Sequence, residues 1–72
     1  MTNQQKLITL GAALHGRLWL RATARDLGVD YRQVQRWAKG EYDTPDWAVV
    51  ELAKAASKRR NEIGLAINAA QS

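Results

Sequence analysis

"LGVDYRQVQRWAKG", residues 27–40, decides the fold. Gly28 and Gly40 bracket a segment opened by Asp30, in which Val34, Trp37 and Ala38 are interleaved with Tyr31, Arg32, Gln33, Gln35 and Arg36. At about 100° per residue the three apolar side chains fall on one side of a helix, and Arg32 and Arg36 point almost opposite, flanked by Gln33 and Gln35. Gly28 stands where a left-handed cap ends a preceding helix at least steric cost. Asp30 begins the next helix, and Gln33 three residues on completes a capping-box pattern. The apolar stripe explains how this helix is held down. It does not explain why the opposite side is arginine and glutamine, since an inert surface favours mixed lysine and glutamate.

Upstream, Leu20, Ala24 and Leu27 share one side of a helix from about Trp19 to Leu27, with Arg21 and Arg25 displaced from it. Before it, Thr2 or Asn3 caps a first helix carrying Leu7, Leu10 and Leu14, which Gly11 weakens and Gly16 ends. Downstream, Thr44 reads as an N-cap, Pro45 as the first helical residue, and Asp46 sits beside the positive end of the helix dipole. Val49, Leu52, Ala53, Ala56, Ile63 and Ile67 then recur at helical spacing, as one long helix or as two divided near Ser57 to Asn61, with Gly64 weighing against an unbroken one. No alternating strand pattern, internal repeat or linker interrupts this. The expectation is an all-α domain spanning residues 1–72, of four to five helices.

The 72 residues support only a modest core, which makes self-association a reasonable expectation. Absence of cysteine excludes a disulfide staple, a cysteine-based zinc finger and thiol catalysis. No apolar run approaches the roughly 20 residues of a membrane span, and the first residues are polar. A soluble protein of the bacterial cytoplasm or nucleoid, with no membrane partner, is expected.

The net charge is +4, with a pI of about 10.0, and its sign is unevenly distributed. Arg17, Arg21, Arg25, Arg32, Arg36 and Lys39 face only Asp26 and Asp30 in the same stretch. Glu41 to Glu51 holds four acids and no base, and Lys54 to Arg60 four bases and no acid. A basic block on one folded element points to a polyanion; a solvated surface is the plain alternative.

Ala24, Gly28, Val29, Val34 and Trp37 occupy the positions at which two helices cross closely, turn, and lock together. This spacing, over about residues 20–40, resembles the DNA-binding helix-turn-helix of lambda-repressor and Cro-like regulators of phage and mobile elements. Gly40, Pro45, Leu52 and Ala53 look like that family's loop glycine, next-helix proline and Leu-Ala pair. Short autorepressors found beside anti-CRISPR genes look similar. The resemblance implies a sequence-specific double-stranded DNA-binding regulator, a dimeric repressor or autorepressor that reads a palindromic operator in the major groove with the helix 31–38. Repression follows only from size, which leaves no room for an effector domain.

Docking as in that family places Tyr31, Arg32, Gln33, Gln35 and Arg36 at the bases. Arginine pairs with guanine and glutamine with adenine in bidentate fashion, each discriminating by about 1–3 kcal/mol. Arg32, Gln33 and Arg36 are the leading readers, although a Gln33 engaged in capping is not free to read. Tyr31 either meets a thymine methyl or phosphate, or is a partly buried aromatic at the helix entrance. Arg21 and Lys39 are the leading phosphate ligands, followed by Arg17, Tyr42, Thr44 and Arg25.

The C-terminal region, residues 45–70, is where a dimer interface is expected, through Ala56, Ile63, Leu65 and Ile67. Folding of that tail back onto the core is the alternative. "SKRRNE", residues 57–62, reads as a solvated helix face, a phosphate strip or a hinge. Trp19 and Trp47 read as core anchors, while an exposed Trp47 suggests a protein-binding surface. His15 is the only histidine and reads as a helix C-terminal residue; no acid–base pair, metal cluster or phosphate loop is present, so an enzyme is not expected and no cofactor, metal or small-molecule ligand is implied. The alternative to a DNA reader is a small helical interaction or assembly module, antitoxin-like or an adaptor.

Overall fold

The computed structural model describes residues 1–72 and contains helices but no strand. The elements are α1 (Asn3–His15), a single 3-10 turn (Gly16–Leu18), α2 (Trp19–Leu27), α3 (Tyr31–Lys39) and α4 (Asp46–Gln71). α1 packs against α4 and α2, and α2 packs against α3.

Thr2 caps α1 through a complete capping box: the Gln5 N–H donates to Thr2 Oγ1 at 3.1 Å, and the Thr2 N–H donates to Gln5 Oε1 at 2.9 Å. Asn3 is thereby free for another task. Its Nδ2 donates to the Thr44 carbonyl at 3.0 Å and to Asp46 Oδ1 at 2.6 Å, while Gln4 Nε2 donates to the Ala38 carbonyl at 2.9 Å. The first turn of α1 therefore pins both sides of the loop between α3 and α4. At its other end, His15 Nε2 meets Asp26 Oδ2 at 2.6 Å and ties α1 to α2.

The same device ends α2 and α3. Gly28 and Gly40 adopt left-handed conformations, with φ of 69° and 78°. The next residue then reaches back to an orphan carbonyl, Val29 N–H to Ala24 O and Glu41 N–H to Arg36 O, both at 3.0 Å. Each helix is stopped sharply and the chain redirected.

Two expected caps are corrected. Asp30 caps α3 by accepting from the Arg32 N–H at 2.8 Å, and its reciprocal box with Gln33 does not form. α4 begins one residue later than expected: Pro45 is extended and forms the N-cap, and Asp46 is the first helical residue. The Pro45 carbonyl accepts from the Ala48 and Val49 N–H groups. Thr44 therefore lies outside the helix, buried, with its hydroxyl lacking a partner.

Leu7, Ala24, Val34, Trp37, Ala48 and Leu52 form the core, with Leu10, Leu14, Trp19, Leu20, Leu27, Val29 and Tyr31 packed around it. Gly11 belongs to this packing: a Cβ there would stand 2.3 Å from Trp19 Cε3. What reads as a weakness in a helix is the contact that lets Trp19 lie against α1. Trp47 is no core anchor. It is 48% exposed and presents its ring edge-on to Trp37, with centroids 6.0 Å apart.

α4 is one continuous helix of 26 residues, unbroken at Gly64. Its length of about 39 Å exceeds the 21 and 18 Å widths of the molecule, and every residue from Ser57 onward is exposed. The tail does not fold back onto the core. Ala53 is exposed, and burial falls on Ala48 and Leu52. Leu65 is two positions, about 200°, from Ile63 and from Ile67. It therefore shares no face with them, and lies with Trp47 and Val50 instead.

Candidate nucleic-acid interface

α3 is seated by Val34, fully buried, and Trp37, 5% exposed. With those two inward, Arg32, Arg36 and Lys39 are exposed together on the opposite side, within about 60° of arc. Gln33 and Gln35 flank this strip and are half-buried. No hydrogen bond joins the Gln33 side chain to the Asp30 N–H, so that side chain is not held in the cap. Five residues expected at the bases are thus on one helix, but Arg32 and Arg36 stand proud while Gln33, Gln35 and Tyr31 lie at its shoulders.

Tyr31 opens α3 and is half-buried. The Arg21 guanidinium from α2 lies over its ring, 4.4 Å from the centroid. Arg17, Leu18 and Leu20 complete a shallow cleft of about 260 Å³ with this pair. Arg17 and Arg21 are exposed and stand beside the start of α3, as a flanking phosphate contact requires. At the far end of the strip, the Arg36 guanidinium lies over the Tyr42 ring at 5.7 Å. Each end of α3 is therefore marked by an arginine stacked on a tyrosine.

Thr44 does not join this surface. Its hydroxyl is enclosed and its carbonyl is occupied by Asn3, so it is withdrawn as a phosphate ligand. Tyr42 is exposed but engaged with Arg36, and Arg25 is exposed on α2 with no ionic partner. Among the acids, Asp46 accepts from Asn3 and Glu51 pairs with Lys54 at 3.3 Å.

Leu18 was not anticipated. It is 82% exposed in the turn before α2, on the rim of the cleft formed with the two arginines. Leu18 is four residues after Leu14 and would continue the stripe of α1; the signal available in the sequence is Gly16, which ends that helix before Leu18 is reached, while Leu18 lies about 200° from Leu20 in the register of α2.

No helix is long and apolar enough to cross a membrane. The chain matches no protein-family model, no curated protein and no solved structure.

Proposed function

We propose that the protein binds double-stranded DNA in a sequence-specific manner and acts in the cytoplasm as a dimeric repressor or autorepressor. α2, the Gly28 turn and α3 serve as a helix-turn-helix of the lambda-repressor and Cro-like kind. The observation that carries the reading is the outward strip of Arg32, Arg36 and Lys39 on a helix whose inner side is anchored by Val34 and Trp37. A short rigid helix with forked cationic donors on its free side suits the major groove. Arg32 and Arg36 read bases, with Gln33 and Gln35 beside them. Arg21, Arg17 and Lys39 hold phosphates and fix the register.

A second reading, a protein-interaction module, draws on the exposed Trp47 and Val50 and the acids around them. Binding to random duplex DNA as salt is raised separates the two. A DNA reader loses affinity steeply, in proportion to the phosphates it neutralises, whereas an interaction module binds weakly at every salt concentration. Selection of bound sequences from a random duplex pool then tests specificity directly; recovery of no preferred sequence would sink operator recognition.

A further inference from the structure

α4 carries its core-facing side beyond the end of the core. Ala48 and Leu52 are buried and Ala55 and Ala56 half-buried. At about 100° per residue the same side continues through Arg59, Ile63, Ile67 and Ala70, where every side chain is exposed. Ile63 and Ile67 are each 50% exposed. A helix of this tail's length is marginal in water on propensity alone. The stripe that binds α4 to its own domain thus runs on without an intrachain partner.

Two observations bear on what covers it. The end of α1 contributes Ala13 and Leu14 to a groove of about 240 Å³ completed by Ala56, Arg59, Arg60 and Ile63 on α4. The groove is mainly apolar and wide enough for a branched aliphatic side chain. The second is charge: four bases from Lys54 to Arg60 are followed by one acid, Glu62, on the flank of the stripe. Within one chain Glu62 has no ionic partner.

We infer that a second copy of this chain docks here, its α4 tail antiparallel to the first. In that arrangement Glu62 of each copy faces Arg59 of the other, Ile63 enters between Ala56 and Arg60 of the other, and Ile67 seats at the mouth of its groove. The contact is reciprocal and closes at two copies. Leu65 takes no part, because it lies on the far side of the helix. The inference deepens the dimer of the proposed function by naming its surface and orientation, and it rests on that reading only for its purpose.

Sedimentation velocity of the full chain without DNA, over a wide dilution series, tests it. The parent is expected to approach twice the 8.1 kDa of one chain at high concentration and to dissociate on dilution. Ile63→Asp and Ile67→Asp each raise the dissociation constant by about tenfold or more. Arg59→Glu weakens association, and adding Glu62→Arg restores it. Leu65→Asp leaves it unchanged. All these positions are exposed, so circular dichroism and tryptophan fluorescence should report an intact body in every variant. A parent that remains at 8.1 kDa throughout, or a Leu65→Asp as disruptive as Ile67→Asp, overturns the inference. With no DNA in the cell, such a failure leaves the DNA-binding reading standing; a chain that dimerises but binds no DNA fails the other way.

Discussion

The Arg36 guanidinium rests over the Tyr42 ring, 5.7 Å from its centroid, across the Gly40 turn that ends α3. Tyr42 is held in place because Gln4 and Asn3 fix the loop on either side of it. The tyrosine therefore limits where the Arg36 guanidinium can point. An exposed cation–π contact is worth about 0.5–1 kcal/mol. On the proposed reading, in which Arg36 contacts a base, Tyr42→Ala should weaken preference at that operator position by a few-fold, and Tyr42→Phe should not. In a double-mutant cycle, Tyr42→Ala should add little once Arg36→Ala is present; full additivity would show that Tyr42 acts elsewhere.

Arg32, Arg36, Arg21 and Lys39 should separate by kind. Arg32→Ala and Arg36→Ala are expected to cost about 1–3 kcal/mol on a selected operator and to relax preference at particular base pairs. Lys39→Ala and Arg21→Ala should weaken all duplexes alike and reduce the salt slope by about one. Titrations against operator and scrambled duplexes at several salt concentrations read both effects. If the two α3 arginine variants kept the parent's selectivity, α3 would not be the reader.

Gly11→Ala and Gly64→Ala should change stability in opposite directions. Helix propensity alone favours alanine by about 1 kcal/mol at either site. At Gly11 the new methyl would meet the Trp19 ring, and overpacking of this type costs about 1–3 kcal/mol. Nothing lies within 4 Å of a Cβ at Gly64, so there the propensity gain stands. Thermal unfolding followed by circular dichroism should place the Gly11 variant below the parent and the Gly64 variant at or above it.

Thr44→Val should be neutral or stabilising by about 1 kcal/mol, since the hydroxyl it removes is buried without a partner. DNA affinity should not change. A Thr44→Val chain that folds normally but binds duplexes more weakly would return Thr44 to the phosphate contacts from which its burial removes it. Denaturant unfolding and duplex titration of the same preparation supply both measurements.

The ends of the first three helices were legible because Gly16, Gly28 and Gly40 all take positive φ, a conformation other residues adopt only with strain. The seat of α3 was legible for a different reason. Val34 and Trp37 are spaced so that only one side of the helix is apolar, and the exposed position of Arg32 and Arg36 follows from that spacing. What escaped were contacts between elements. Trp19 covers Gly11 from the following helix, and propensity treats that glycine only as a local defect. Asn3 and Gln4 reach across to the loop after α3, and nothing in a polar N-terminus distinguishes such a clamp from solvated surface. Thr44 and Pro45 satisfy a start signal in more than one register, and the extended Pro45 moves the cap by one residue. The pairing of arginine with tyrosine at each end of α3 depends on how α2 and the loop approach it, which periodicity does not encode.

In the proposed dimer, the unsupported end of α4 works as a phase-sensitive ruler. Each residue inserted between Leu52 and Ile63 advances the stripe by about 1.5 Å and rotates it by about 100°. One or two insertions therefore turn Ile63 and Ile67 away from the other copy, whereas seven nearly restore their bearing while lengthening the arm by about 10 Å. The distance between two α3 helices would thus change in steps of whole turns, at the cost of the groove in which Ala13 and Leu14 meet Ala56, Arg59, Arg60 and Ile63.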